Sequence, residues 1–110
     1  MKMPFSKLLY RETALSDLIL VCIGSVLEAK EECTFERLTK ECFIAFPEVF
    51  CFADSPQWPD SRKLDRPLRE LRKKKLIIGR PQDKFTLTKA GKKAADEISK
   101  RFSQRELFKI

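Results

Sequence analysis

Residues 59–91 read PDSRKLDRPLRELRKKKLIIGRPQDKFTLTKAG, and this stretch contains three consecutive structural signals. Its first part has leucines at the i, i+4, i+7 spacing that places side chains on one helical face, and Leu64, Leu68 and Leu71 are named here the leucine stripe. A second set with matching spacing is cationic and is named the basic stripe: Arg62, Arg66, Arg69 and Lys73. The pattern predicts an amphipathic helix.

Pro67 interrupts this helical pattern. Inside a helix, proline removes one hydrogen bond and clashes with the preceding turn, at a cost of ~3 kcal/mol. We therefore predict a turn over residues 59–64 that leads into a helix from about Asp65 to Lys75.

Two short β-prone runs follow the predicted helix. They are Leu76–Ile78 and Phe85–Leu87, and they flank a turn that contains glycine, proline and aspartate, which predicts a hairpin. Thr88 is a suitable N-cap for a last helix, predicted from Lys89 to at least Phe102.

A basic helix followed by a hairpin and another helix is the order of the back half of a winged helix-turn-helix. The pattern RPLRELRKKKLI, followed by FTLTKAG, also resembles the recognition helix, wing and L-T-x-x-G signature of MarR-like and PadR-like winged-helix regulators over about thirty residues. The resemblance implies one α+β domain over residues 1–110, mainly α with a small β-hairpin, in which a three-helix core carries a wing and a C-terminal helix. It also implies that residues 1–12 form an N-terminal arm that contributes to a homodimer.

The chain upstream supplies the rest of the predicted core. Apolar residues recur with helical spacing from Leu15 to Ala29, with Gly24 in the middle. Because glycine costs roughly 1 kcal/mol against alanine in a helix interior, we expect a neighbouring helix to approach closely there. Thr34 is a good N-cap for a second helix that ends near Phe46.

The connection over residues 47–60 is longer than the usual helix-turn-helix turn and is rich in aromatic residues. We expect Phe50 and Phe52 to lie in a short segment packed on the core. Trp58 has two interpretations, a stacking platform for a base or partner and a plug at the edge of the core. We favour the plug, because large aromatic side chains supply much of the buried area of a small domain.

Charge divides the chain into two unlike halves. Residues 1–61 contain 6 Lys/Arg and 10 Asp/Glu, a net charge of −4, whereas residues 62–110 contain 17 and 6, a net charge of +11. The cationic half contains the predicted recognition helix and wing, which indicates a polyanionic partner. No export signal is visible, and the apolar run Leu18–Leu27 is too short for a membrane span, so we expect a cytoplasmic protein.

The residues for common catalytic and metal sites are missing from the sequence. There is no histidine, no C-x-x-C pair, no glycine-rich phosphate loop and no cluster of carboxylates. We therefore expect neither an enzyme nor a bound cofactor or metal. Cys22 and Cys42 are expected as reduced core residues, and Cys33 and Cys51 are the candidates for a redox-sensing thiol because they lie in predicted connections.

The leading hypothesis is double-stranded DNA binding in transcription regulation. The predicted groove-facing residues are Arg62, Lys63, Arg66 and Arg69, and the predicted phosphate contacts are Lys73, Lys74, Lys75, Arg80 and Lys84. There are two alternatives. One is a winged-helix adaptor or a subunit of a larger nucleic-acid-processing assembly, which would bind protein through the aromatic connection. The other is RNA binding through the same basic surface.

In the tail at residues 103–110, the apolar residues Leu107, Phe108 and Ile110 indicate either a dimer contact or a longer protein that continues past them.

Overall fold

The computed structural model describes residues 14–80 and 82–108, and for residues 103–108 only the helical backbone. This part of the chain contains four α-helices and one two-stranded antiparallel sheet. In chain order they are α1 (Leu15–Glu28), α2 (Phe35–Ala45), α3 (Arg62–Lys73), β1 (Ile77–Ile78), β2 (Thr86–Leu87) and α4 (Lys89–Phe108). The prediction of a mainly helical α+β structure with a small hairpin is confirmed.

Helix α1 lies at the centre of the core, because apolar side chains cover most of its circumference. Its buried apolar residues are Leu18, Ile19, Leu20, Val21, Cys22, Ile23 and Val26. A helix that is apolar on nearly all sides must be surrounded, and α2, α3 and α4 all pack against it. Helix α4 packs against α1 at Gly24, but a Cβ added there would lie 3.5 Å from the Cβ of Ala95, an ordinary van der Waals distance, so this packing does not require glycine.

Helix α2 has the predicted start and end. The Thr34 hydroxyl accepts a hydrogen bond from the Arg37 backbone N–H at 3.2 Å, which satisfies one of the free donors of the first turn. At the other end the Phe46 N–H donates to the Cys42 carbonyl at 2.8 Å, and Pro47 follows. Helices usually end at or before the residue that precedes a proline.

The connection from α2 to α3 contains a compact loop, residues 50–60, which we name the aromatic loop. The Asp60 N–H donates to the Phe50 carbonyl at 2.7 Å, and the Phe52 N–H donates to the Trp58 carbonyl at 3.0 Å. Phe50 is buried as predicted, with its ring centroid 6.4 Å from that of Phe46. Trp58 is 60% exposed, so the prediction that it closes the edge of the core is wrong. The core beside the loop is already filled by Phe46 and Phe50.

Helix α3 begins at Arg62, three residues before the predicted start at Asp65. Its first turn is held by short-range hydrogen bonds, from the Lys63 N–H to the Asp60 carbonyl at 3.2 Å and from the Leu64 N–H to the Ser61 carbonyl at 3.1 Å. The residues predicted as the last part of a turn are therefore helical.

Pro67 lies inside α3 and is buried, although it had been expected to mark the start of the regular helix. All three residues of the leucine stripe are at most 2% exposed. Full burial of one leucine is worth ~1.5–3 kcal/mol, so the stripe as a whole outweighs the ~3 kcal/mol cost of the proline. The continuity of the leucine spacing across Pro67 was the better guide to the helix.

Helix α3 ends in a Schellman motif. The Lys75 N–H donates to the Arg72 carbonyl and the Leu76 N–H to the Leu71 carbonyl, both at 3.0 Å. Lys75 has a φ of 59°, in the left-handed region that this motif requires and that glycine usually occupies. The motif turns the chain directly from α3 into β1.

The predicted hairpin is present, with each strand one residue shorter than the predicted run. Ile77 lies opposite Leu87, and Ile78 lies opposite Thr86. The residues just before β2 are hydrogen-bonded to the start of α2. Thr34 and Lys84 form an isolated β-bridge, and the Phe85 N–H donates to the Cys33 carbonyl at 2.9 Å.

The start of α4 is joined to the end of α3 through Thr88, which confirms the predicted N-cap. Its hydroxyl accepts from the Gly91 N–H at 3.0 Å and donates to the Lys75 carbonyl at 2.7 Å. Its own N–H donates to the Leu76 carbonyl at 3.1 Å. A Cβ at Gly91 would clash with that same carbonyl oxygen. The L-T-x-x-G sequence therefore has a physical role here: it allows the two helix ends to meet in backbone contact.

Three of the buried residues are free thiols, Cys22, Cys33 and Cys42. Burial raises the pKa of Cys33 to about 12, and it raises the pKa of Cys42 well above its ordinary value. The expectation that Cys22 and Cys42 are core residues is confirmed. Cys33 lies in the connection between α1 and α2 as predicted, but it is buried, which does not fit a redox-sensing thiol. Cys51 is half-buried, with its Sγ 3.8 Å from the Glu48 carbonyl oxygen.

Some expectations concern residues that the structure does not describe. The N-terminal arm (residues 1–12), the side chains of Leu107 and Phe108, and Ile110 lie outside the described residues. Among the described helices, none combines the length and the apolar content needed to cross a membrane.

Candidate nucleic-acid interface

The basic stripe occupies the exposed side of α3. Arg62, Arg66, Arg69 and Lys73 are exposed, whereas the leucine stripe faces the core. Arg69 lies 3.6 Å from Asp65, and since both side chains are more than half exposed, this pair holds the guanidinium only weakly. Arg66 has no acidic partner among the described residues. The middle of α3 thus presents two adaptable arginines to solvent.

Arg62 is held more firmly, at the front of the stripe. Its Nε donates to Oδ1 of Asp60 at 3.0 Å and its Nη2 to Oδ2 at 3.2 Å, so the pair is bidentate. The Arg62 side chain remains 77% exposed while that of Asp60 is 7% exposed. The hydrogen bonds from Arg62 lower the pKa of Asp60. The Arg62 Cζ also lies 5.1 Å from the ring centroid of Phe52, a cation–π distance.

Lys63 lies at the back of the first turn of α3 and contacts the chain itself. Its Nζ donates to the carbonyls of Val49 and Cys51 at 3.0 and 2.8 Å. The side chain is half-buried, and these two bonds clamp the base of the aromatic loop to α3. The structure thus separates Lys63 from Arg62, Arg66 and Arg69, the other residues predicted to face the groove.

The predicted phosphate contacts are divided between the end of α3 and the hairpin turn. Lys73, Lys74, Lys75 and Arg80 are exposed. The Lys84 Nζ instead lies 2.7 Å from Oε1 of Glu32, in the acidic connection between α1 and α2, and this hydrogen bond raises the pKa of Lys84. One cation of the turn is therefore already paired.

Arg72 supports the hairpin and was not among the predicted site residues. Its Nη1 donates to the Gly79 carbonyl at 3.5 Å, which links α3 to the beginning of the turn. Gly79 has a φ of 131°, a conformation that side-chain-bearing residues rarely adopt. The sequence contained one indication that Arg72 differs from the predicted site residues, because its helical position lies next to the basic stripe and not within it.

The aromatic loop adds an apolar edge to the cationic surface. Phe52 and Trp58 are 36% and 60% exposed, and Phe52 lies under the guanidinium of Arg62. The basic stripe and the aromatic loop therefore form one continuous surface, with the arginines along α3 and the rings at its N-terminal end.

An ion pair within α2 has a buried carboxylate that also contacts α1. The Arg37 Nη1 donates to Oε1 of Glu41 at 2.9 Å, and the Ser25 hydroxyl donates to Oε2 at 3.0 Å. Arg37 also contacts Glu31 at 3.1 Å, and the hydrogen bond lowers the pKa of Glu31. Glu41 lines a groove of about 420 Å³ between α1, α2, β2 and α4. The burial of Glu41 could not be predicted from the sequence, in which its position on the same helix as Arg37 was the one available indication.

Comparison of the chain with models of known protein families, with curated proteins and with solved structures finds no match. The functional assignment therefore depends on the geometry of the basic stripe, the hairpin and the aromatic loop.

Proposed function

We propose that the chain is a winged helix-turn-helix domain that binds double-stranded DNA and acts in transcription regulation. The element order supports it, with α2 and α3 as the helix-turn-helix pair, the hairpin as the wing, and the Thr34–Lys84 bridge in the position of a third strand. The observation that carries the proposal is the exposed basic stripe, which lies opposite a fully buried leucine stripe and immediately before the hairpin. The long aromatic loop between α2 and α3 distinguishes this domain from a short-turn helix-turn-helix.

Base contacts are assigned to the middle of α3. Of the exposed arginines on α3, Arg66 and Arg69 have weaker internal contacts than Arg62, so their guanidinium groups are available for a bidentate contact to guanine O6 and N7 in the major groove. Arg62 is fixed by Asp60 and Phe52, and we assign it to the flank of the site.

Phosphate contacts are assigned to the end of α3 and the turn of the hairpin. Lys73, Lys74, Lys75 and Arg80 are exposed there and form a cationic surface along the expected path of a DNA backbone. Lys84 joins them only if its pair with Glu32 opens. Lys63 adds positive charge without a direct contact. If the domain forms the predicted homodimer, the two α3 helices meet successive major grooves about one DNA turn apart.

Fluorescence anisotropy of a labelled random duplex of about two helical turns tests the proposal. Titrations across a salt series should show binding at low salt. The logarithm of the association constant should fall linearly with the logarithm of the salt concentration, because binding releases cations from the DNA. The slope is about −0.9 for each phosphate neutralised. Absence of binding at low salt would overturn the proposal.

The second candidate is a protein-interaction adaptor. The exposed rings of Phe52 and Trp58 favour it, because large apolar side chains at the surface often mark protein contacts. Under this alternative, DNA affinity is weak and nearly independent of Arg66 and Arg69.

A further inference from the structure

The rings of the aromatic loop are exposed although the loop itself is tightly held. Phe50 is fully buried beneath it, and a β-bridge between Cys51 and Pro59 closes its base. The Lys63 ammonium group, on α3, donates hydrogen bonds to the Cys51 carbonyl in the loop and to the Val49 carbonyl just before it. The positions of Phe52 and Trp58 are therefore set before any ligand arrives, which reduces the entropic cost of binding.

The location of the rings indicates what they contact. Phe52 is covered on one side by Arg62, the first residue of the basic stripe, so a nucleic acid that follows the stripe toward the N-terminal end of α3 reaches the loop next. The loop itself contains the exposed Asp54 and no Lys or Arg from residue 50 to 60. A phosphate is disfavoured there, whereas the flat face of a base is not charged and stacks on aromatic rings.

We propose that Trp58, with Phe52, stacks on an unpaired base at the edge of a DNA duplex, so that the domain prefers a junction between double-stranded and single-stranded DNA over a blunt duplex. Inside a duplex each base face is covered by its neighbours, and a blunt end exposes only the outer face of its last base pair. An unpaired base next to the duplex can turn out of the stack and insert its face against the loop. This proposal rests on the proposed function, since the basic stripe holds the duplex part.

The test compares two labelled DNAs that share one duplex, blunt in one and extended by five unpaired thymines in the other. The expected result is about tenfold tighter binding of the extended DNA, equivalent to ~1.4 kcal/mol. Trp58 is the only tryptophan of the chain, so its intrinsic fluorescence reports on stacking directly. We expect the extended DNA to quench its emission more strongly than the blunt duplex does.

Two variants identify the residue responsible. Trp58→Ala should reduce the affinity for the extended DNA to that of the blunt duplex, measured by anisotropy of the labelled DNA. Ile78→Ala is the matched control, because Ile78 is equally exposed, at 61%, but lies on β1 away from the loop. It should keep the preference for extended DNA.

The outcomes separate the two proposals. Equal affinity of the protein for both DNAs, or a preference that persists in Trp58→Ala, overturns the stacking proposal while duplex binding stands. Absence of any DNA binding at low salt overturns both the stacking proposal and the proposed function. The exposed rings of Phe52 and Trp58 would then be interpreted as a contact for a protein partner.

Discussion

The two halves of the described chain use their charged residues in different ways. Between α1 and α2 the charges neutralise one another, as in the contacts of Arg37 with Glu31 and with the buried Glu41. The cations of the basic stripe on α3 face solvent, and the one acidic neighbour of Arg69 is itself exposed. Arg37 and Arg69 are thus the same residue type in opposite situations. Pairing and burial, rather than net charge alone, separate cations that hold the fold from those available to a ligand.

The largest effect is expected on stability, from Arg37→Ala. This change removes the guanidinium from Glu41, whose side chain is 4% exposed, and only part of the hydrogen bonding of that carboxylate remains. We expect the free energy of unfolding to fall by about 2 kcal/mol, below the usual cost for a fully buried pair because Arg37 is itself partly exposed. Urea denaturation measures this. Arg69→Ala is the matched control and should change stability by less than about 0.5 kcal/mol. Equal losses in the two variants would contradict the comparison.

The reverse pattern is expected for DNA affinity. Under the proposed function, Arg66→Ala or Arg69→Ala should weaken binding to a preferred site by ~1–3 kcal/mol, because each removes an available guanidinium from the side of α3 that we assign to the groove. Lys100→Ala removes one exposed cation from α4 and serves as the control, with a smaller loss. Anisotropy titrations at one fixed salt concentration give the comparison. Unchanged affinity in both arginine variants would remove the role assigned to them.

A pH dependence sharpens the comparison at the boundary between the halves, where Arg62 pairs with Asp60. Because Arg62 lowers the pKa of Asp60 in the folded state, the pair stabilises the fold above the unfolded pKa of about 3.9 and loses this effect as the pH falls through the lower folded value. Arg62→Gln should therefore be less stable than the native protein at pH 6, and the difference should shrink as the pH is lowered below about 3.9. Urea denaturation across this pH range tests this, and a constant difference would contradict it.

The smallest effect is expected where the halves meet, at the pair between Lys84 and Glu32. Glu32→Gln should release the ammonium group toward DNA and strengthen binding by about twofold at low salt, since exposed ion pairs are worth ~0–1 kcal/mol. Glu36→Gln is the control, because it removes the same charge from the exposed side of α2. A weaker complex for Glu32→Gln, or the same gain in both variants, would show that Lys84 does not act on the DNA.

Features encoded by local spacing could be predicted from the sequence. The Thr34 and Thr88 caps, the hairpin around Gly79 and the leucine stripe all depend on residues within a few positions of one another. Each was visible as a pattern of residue types at fixed distances along the chain. Even the start of α3 was present in the leucine spacing, and the prediction failed because the local cost of Pro67 was given more weight than burial.

Features that depend on distant partners could not be predicted in this way. Lys84 meets Glu32, 52 positions away, and Lys63 meets carbonyls 12 and 14 positions away. The sequence alone made both residues look like free surface cations. Trp58 was misplaced for the same reason, because whether it or Phe50 fills the core depends on how the loop closes. The sequence therefore predicted that α3 has an exposed basic surface. It did not predict which individual cations are free on that surface and which are bonded within the protein.

Helix α4 has a mechanical consequence for that surface. Its first turn is bonded to the end of α3 at Thr88, and Phe102, about 20 Å further along the helix axis, packs against Phe46 with ring centroids 6.2 Å apart. Because α4 is held at both places, it cannot rotate freely about either contact. Helix α4 thus acts as a brace between the C-terminal ends of α2 and α3, in addition to its packing on α1. We expect a smaller side chain at Phe46 to loosen this link and so to affect the basic stripe without touching it.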